Sequence, residues 1–341
     1  MKVFFIIPCF PTRSYQIYYS MLAPIIVFSY NRPDHLHRTL EALSRNELAE
    51  RSDLFIFCDG PKKDASEKQL ELISENRKIA HRISGFKSIR IIERGSNFGL
   101  ARSIIEGVTT VINQYGKTIV LEDDLLTSPF FLKYMNSALD FYENYAGVMS
   151  VSANRPPMDK MEIPSDYEYD VFACLRSYST GWATWKDRWD RVDWSLDYLE
   201  DFLKHPEQIK AFNRCGDDMT DMLIDQRDRR IDSWAVRFGF AHFKEHCVAI
   251  LPCIPYVDNI GFDGTGRHSG VNLTGEYRND LSLSVENPRF LDIVYEDTRI
   301  INAFYNRFCR KKRPLWQKAC NFVARKFGLK VPFVIKKKVY C

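Results

Sequence analysis

The sequence contains no Gly-x-x-x-x-Gly-Lys-Ser/Thr loop, no Gly-x-Gly-x-x-Gly after its first apolar run and no Gly-x-Ser-x-Gly elbow. These absences argue against P-loop nucleotide hydrolases, dinucleotide-dependent dehydrogenases and elbow-type serine hydrolases. Nor is there an uninterrupted apolar run of about 18 residues, the length that spans a bilayer, so integral membrane insertion is not expected. The nine cysteines, at 9, 58, 174, 215, 247, 253, 309, 320 and 341, include no Cys-x-x-Cys pair, which fits reduced thiols better than a disulfide framework or a zinc site. Excess charge is scarce too: +4 net against 48 basic and 44 acidic residues makes no case for nucleic acid as a partner. Internal repeats and low-complexity segments are absent.

What is present is a chain of 341 residues, 45% hydrophobic and 14% aromatic, able to bury a sizeable core in one large domain or two joined ones. Pro24 to Tyr30 reads as a buried strand, and Pro33 starts a helix running to about Leu48. Leu54 to Cys58 is a second strand ending in the turn Asp59-Gly60-Pro61, followed by a charged amphipathic helix from Ser66 to Arg82. Ser88 to Glu93 is a third strand, Asn97 to Tyr115 a helix closed by Gly116, and Thr118 to Leu121 a fourth strand. A helix from Ser128 to Tyr145 and a strand from Gly147 to Val151 follow. Such strand–loop–helix repetition predicts an α/β fold, Rossmann-like, with a mostly parallel sheet and helices on both faces.

The fourth strand delivers Glu122-Asp123-Asp124, three carboxylates where an apolar run ends. An isolated acidic triplet is usually a solvated turn. The carboxyl end of a strand in an open α/β sheet is, however, where ligands bind, and a hard cation is commonly held there by one or two carboxylates plus substrate phosphates. On an extended segment Glu122 and Asp124 share one face and Asp123 takes the other.

The order of these pieces resembles an A-type-fold nucleotide-sugar glycosyltransferase. The pieces are Ser29-Tyr30-Asn31-Arg32-Pro33 after the first strand, Asp59-Gly60 after the second, Asn97-Phe98-Gly99-Leu100-Ala101-Arg102 opening a helix, and then the acidic Asp-X-Asp-like motif. The form Leu121-Glu122-Asp123-Asp124-Leu125 is similar to the Glu-Asp-Asp of the N-acetylglucosaminyltransferase I type and of bacterial enzymes related to glycosyltransferase family 2, and the resemblance covers roughly Ala23 to Gly270. It implies that Ser29, Tyr30, Arg32 and Asp59 contact the base and ribose of a UDP-sugar, and that Asn97, Gly99 and Arg102 help close the nucleotide pocket. It further implies that Asp124 holds Mn²⁺ or Mg²⁺ while Glu122 and Asp123 face the ribose and sugar.

Beyond Val151 the periodicity breaks, and four tryptophans crowd the stretch Gly181 to Trp194. Trp185, Trp189 and Trp194 are expected in the core. Gly181 and Trp182 look like the acceptor-side loop of such transferases, with Trp234 beside them, since indoles stack on sugar faces. Residues 195 to 245 read as helical, Val248 to Leu251 as a late strand and Gly261 to Gly270 as a glycine-rich loop. An inverting transfer needs a base for the acceptor hydroxyl, and the resemblance assigns that role to Asp232, for which a helix N-cap is the competing reading. In the glycine-rich loop, Arg267 is a candidate diphosphate contact and His268 a candidate second metal ligand.

From Arg307 onward the chain has many Lys and Arg, no Asp or Glu, and interleaved aromatics, so it either lies on an anionic membrane surface or packs as a basic tail. The resulting division is an extension at 1–22, a nucleotide-sugar half at 23–151, an acceptor and catalytic half at 152–275, and a basic tail at 276–341. A cytoplasmic protein, peripheral on the inner membrane face, is expected, extending a glycan or lipid-linked glycan. A sugar nucleotidyltransferase or a non-catalytic sugar-binding scaffold are the alternatives.

Overall fold

Ile25–Ser29 (β1) is buried along its whole length, which is why it reads as a continuous apolar run rather than an alternating one. A computed structural model describes residues 21–157, 161–264 and 278–309. The first 20 residues, Arg267, His268 and the stretch from 310 onward, which were expected to form an extension, a donor contact, a metal ligand and a basic tail, lie outside the described residues.

After β1 come Pro33–Ser44 (α1), Asp53–Cys58 (β2), Glu67–Arg82 (α2), Ser88–Glu93 (β3), Leu100–Tyr115 (α3) and Lys117–Glu122 (β4). Pro33 sits in the first turn of α1, and Ser66 caps α2 in a capping box with Gln69. The chain continues with Leu125–Thr127 (β5), Phe131–Tyr142 (α4), Val148–Ser152 (β6), Val171–Cys174 (β7), Trp182–Trp185 (β8), Lys186–Trp189 (α5), Leu199–Phe202 (α6), Pro206–Phe212 (α7) and Asp218–Arg227 (α8). Trp234–Lys244 (α9), Val248–Pro252 (β9), Val257–Asn259 (β10) and Thr298–Phe308 (α10) complete it.

The main sheet has eight strands in the order β3-β2-β1-β4-β8-β6-β9-β7. Pairings β1–β2, β2–β3, β1–β4 and β6–β9 are parallel, while β8 runs antiparallel between β4 and β6, and β7 antiparallel on β9. The expected mostly parallel α/β sheet is therefore what forms. Alternation sorts the side chains: Ile25 and Val27 join the core under α1 and α4, whereas Ile26 and Phe28 join the opposite core under α3 and α9. A third core gathers β7, β9 and α6 to α8, and α10 adds Ile300, Ile301 and Phe304 to it. Among the described residues no helix is long and apolar enough to cross a membrane.

The path of the chain places the site. From β1 it moves outward through β2 to β3, then returns to lay β4 on the other side of β1. The order reverses between β1 and β4, and the crevice outside the carboxyl ends of two such strands is where open α/β sheets take ligands. Arg32 follows β1 and the acidic triplet ends β4.

Candidate active site

Strand β4 ends at Glu122, and Asp123 and Asp124 form a turn before β5. The turn breaks strand alternation, so Asp123 is not on the face opposite Asp124: both carboxylates come to one nitrogen of Arg32. Its Nη2 lies 2.5 Å from Asp123 Oδ1 and 2.9 Å from Asp124 Oδ2. The expected pairing of Glu122 with Asp124 against Asp123 is corrected accordingly, because period-two reasoning fails once the backbone leaves the strand.

The turn is pinned from two sides. Thr39 of α1 donates its hydroxyl to the Asp123 carbonyl at 2.8 Å and accepts from the Leu125 amide at 3.2 Å. Beyond β10, which pairs with β5, the Ile260 amide donates to the Asp124 carbonyl at 2.9 Å. Gly261 then passes so close that a Cβ there would lie 2.1 Å from Asp124 Oδ2.

Asp123 is buried and filled by donors: Ser29 Oγ at 3.2 Å, the Tyr30 amide at 3.4 Å and Arg32. Ser29 in turn accepts from Asn76 Nδ2 at 2.6 Å. Burial raises the carboxyls of Glu122 and Asp123 above their ordinary range, the neighbouring aspartates add to that, and Arg32 opposes it. On Arg32, burial works against the charge, but Asp123 and Asp124 outweigh it and hold the guanidinium protonated. Its Nη1 is buried without a partner among the described residues. The Tyr30 phenol, raised mainly by burial, stands against the Lys62 amide with Asp59 and Asp64 nearby.

Asp59 serves the neighbouring loop rather than pointing free into the crevice. It accepts from the amides of Gly60 at 3.0 Å, Phe98 at 2.9 Å and Gly99 at 3.1 Å, and from Asn97 Nδ2 at 2.9 Å. Those donors use the acceptor capacity of one carboxylate, so Asp59 and Asn97 position the start of α3 instead of presenting free groups to a nucleotide. Gly99 adopts φ +76°, a conformation that favours glycine, as the residue before α3. Arg102 is exposed, paired with Glu106 at 2.6 Å and stacked on Phe98, whose ring also carries Arg94.

The acceptor-side expectations change most. Trp182 is the second residue after Thr180, in β8 opposite Val120 of β4, and is 3% exposed; Trp234 is 4% exposed and stacks on it at 4.7 Å. Both indole faces are covered by protein, so the sugar contact expected of Trp182 and Trp234 gives way to a core role. Trp185 and Trp189 are buried as expected, and Trp189 bonds Thr109 through its ring nitrogen. Gly181, at φ +70°, lets β8 enter between Ala153, Phe131 and Val257. Asp232 does not cap α9: Ser233 does, accepting from the Val236 amide. The Asp232 carboxylate is left exposed with Arg237 Nη2 at 3.3 Å, two residues before Trp234, which stacks on Trp182 of β8, the strand beside β4.

Sequence reasoning missed Thr39, Asn76, Asn259 and Gly261. Thr39 and Asn76 had a signal, since each interrupts a buried apolar stripe, Leu36-Leu40-Leu43 on α1 and Ile73-Ala80 on α2. Asn259 and Gly261 had none, because only the β5–β10 pairing brings them to Asp124.

The GNT-I family model matches residues 11–216. An alpha-1,3-mannosyl-glycoprotein 2-beta-N-acetylglucosaminyltransferase from Arabidopsis thaliana is 24% identical over 203 residues, 56% of this chain and 44% of that protein, so the chain spans less than half the length of this relative. Among solved structures, TarS 1-349 of S. aureus aligns at 11% identity over 70% of this chain and 60% of its own, with a TM-score of 0.38. The galactosyltransferase LgtC, solved with donor and acceptor sugar analogs, aligns at 11% identity over 66% of this chain and 72% of its own, with a TM-score of 0.35. With more than half of its residues matched by the family model, the chain belongs to the GNT-I family.

Proposed function

We propose that this chain transfers a sugar from a nucleotide sugar, with UDP as the nucleotide, to a glycan or lipid-linked glycan acceptor. The observation that carries the proposal is the convergence of Asp123 and Asp124 on one nitrogen of Arg32 at the point where the strand order reverses.

The oxygen donors there fit a hard divalent cation. Two carboxylate oxygens already share one cationic nitrogen, and among the described residues no three His, Cys, Asp or Glu side chains converge as a complete ligand set. Asp124, less filled by protein donors than Asp123, would hold Mn²⁺ or Mg²⁺, with phosphate oxygens of the donor supplying further ligands. When bound, such a cation neutralises charge developing on a diphosphate leaving group. Arg32, with Nη1 still unpartnered, adds a second positive group beside the same phosphates. Ser29 and Asn76 hold Asp123, and through it Arg32, in place. Asp232, exposed and released from helix capping, is the proposed base that takes the acceptor hydroxyl proton in an inverting displacement.

Asp124→Ala is expected to weaken UDP binding in the presence of Mn²⁺ by about a hundredfold, measured by isothermal titration, because a metal ligand is lost. Asp232→Asn should keep that affinity while losing transfer. UDP affinity unchanged in Asp124→Ala sinks the metal assignment, and near-normal turnover of Asp232→Asn sinks the base.

A further inference from the structure

Beside the acidic turn lies a small cleft lined by Asn154, Arg155, Thr180, Asn259, Phe262 and Asn279, and none of the described side chains lining it is acidic. It joins the site already described through Gly261, which sits between Asn259 and Phe262 and against Asp124. Its side-chain amides are unevenly used. The Asn154 amide oxygen accepts from the Arg155 backbone at 2.9 Å and from Asn279 Nδ2 at 3.2 Å. The Asn259 amide oxygen accepts from the Gly261 backbone at 2.7 Å. Both oxygens are thus used within the protein, and both amide NH₂ groups remain.

Arg155 is 2% exposed, yet its guanidinium meets only backbone carbonyls: Nε donates to Cys253 at 2.6 Å and Nη1 to Met161 at 2.7 Å. Nη2 has no hydrogen-bond partner, and no carboxylate balances the charge, among the described residues. Asp258, the acid of the adjoining strand, is already matched by Arg278 Nε at 2.7 Å and the Asn279 amide at 2.9 Å. The Thr180 hydroxyl makes no hydrogen bond to the described residues. Among the described residues the cleft therefore presents a buried cation with an uncommitted Nη2, two uncommitted amide NH₂ groups and the Thr180 hydroxyl, against one uncommitted amide oxygen, that of Asn279, which itself donates to Asn154 and Val257. A buried charge of this kind is stabilised by an opposite charge that also accepts hydrogen bonds.

We infer that this cleft binds the anionic substituent of an acidic sugar, a carboxylate or a phosphate on a pyranose, and that Arg155, Thr180, Asn154 and Asn259 hold its oxygens. The inference rests on the transferase reading for its place beside the reacting sugar, but its chemistry does not involve the cation or the nucleotide.

The test uses the full chain without metal or nucleotide, and titrates methyl glucuronide, glucose 6-phosphate and methyl glucoside by calorimetry or ligand-observed NMR. One of the two anionic probes is expected to bind about tenfold more tightly than the neutral glucoside, as charge-assisted hydrogen bonds predict, and the tighter one names the source of the anion. Thr180→Val should weaken that probe several-fold and Thr180→Ser should restore it, with melting temperature and Mn²⁺-dependent UDP affinity unchanged. Equal binding of all three probes, insensitivity to Thr180→Val, or displacement of the acidic probe by UDP alone overturns the inference. Because no cation is present, these outcomes are independent of whether Asp124 is a metal ligand.

Discussion

The two halves of the sheet use burial in opposite ways. At the ends of β1, β2 and β4, polar side chains are buried and bonded to one another: Asn76 to Ser29, Ser29 to Asp123, and Asp123 with Asp124 to Arg32. Across β4, around β8 and α9, the corresponding space is filled by Trp182, Trp189, Trp234 and Phe238 in mutual ring contact. The polar half gains little net stability from each bond, since burying a polar group offsets much of what its partner returns. The aromatic half contributes stability in quantity, because each ring removes on the order of 200 Å² from water. The polar cluster thus sits on marginal ground beside a neighbour that supplies stability.

Removing the centre of the aromatic half would strain that division most. Trp182→Ala is expected to cost about 4 kcal/mol of stability, in the range for truncating a buried indole. Chemical denaturation would measure it, and the folded fraction should still bind UDP with Mn²⁺; a loss below about 1 kcal/mol would return Trp182 to the acceptor face.

The second break concerns His242 in the same half, fully buried between Ser150 Oγ at 2.7 Å and the Phe238 carbonyl at 2.7 Å. Burial first, with Arg191 adding to it, lowers its pKa to about 4. Since the unfolded side chain takes a proton below its ordinary value and the folded one does not, stability is intact above about pH 6.5 and falls by about 3 kcal/mol as pH drops towards 4. Comparing denaturation midpoints of the native chain and His242→Gln across that window isolates the contribution: the variant's stability should change less with pH.

The smallest expected effect sharpens the polar side. Gly261→Ala would drive the Asp124 carboxylate from its position and weaken metal-dependent UDP binding about tenfold, with a stability loss near 1 kcal/mol because the displaced atom ends a movable side chain. Titration of the variant beside the native chain checks it, and unchanged affinity would separate the loop from the site.

Legibility divides along the same line. The strand expected at Ser88 to Glu93 has those bounds, the helix expected from Ser66 forms from Glu67 under a Ser66 cap, and the strand expected at Thr118 to Leu121 extends by one residue at each end. Each is a buried run or an amphipathic period several residues long, and such patterns are local. Strands β5, β7, β8 and β10 were not legible, being three or four residues long and existing through their partners. Gly181-Trp182 read as an acceptor-side loop while Trp185 was expected in the core, and nothing local showed that β4 and β6 would enclose the whole of Trp182–Trp185 as a strand.

By itself the sequence determined the strand–helix units of the first half and the arrival of three carboxylates where an apolar strand ends, since both follow from short-range periodicity and turn chemistry. Tertiary structure alone decided that β4 returns beside β1, that a turn swings Asp123 and Asp124 together onto Arg32, and that Gly261 closes on Asp124. Those outcomes depend on pairings between residues up to a hundred or more positions apart, and the energy that selects them is the burial of whole faces rather than the preference of any one segment.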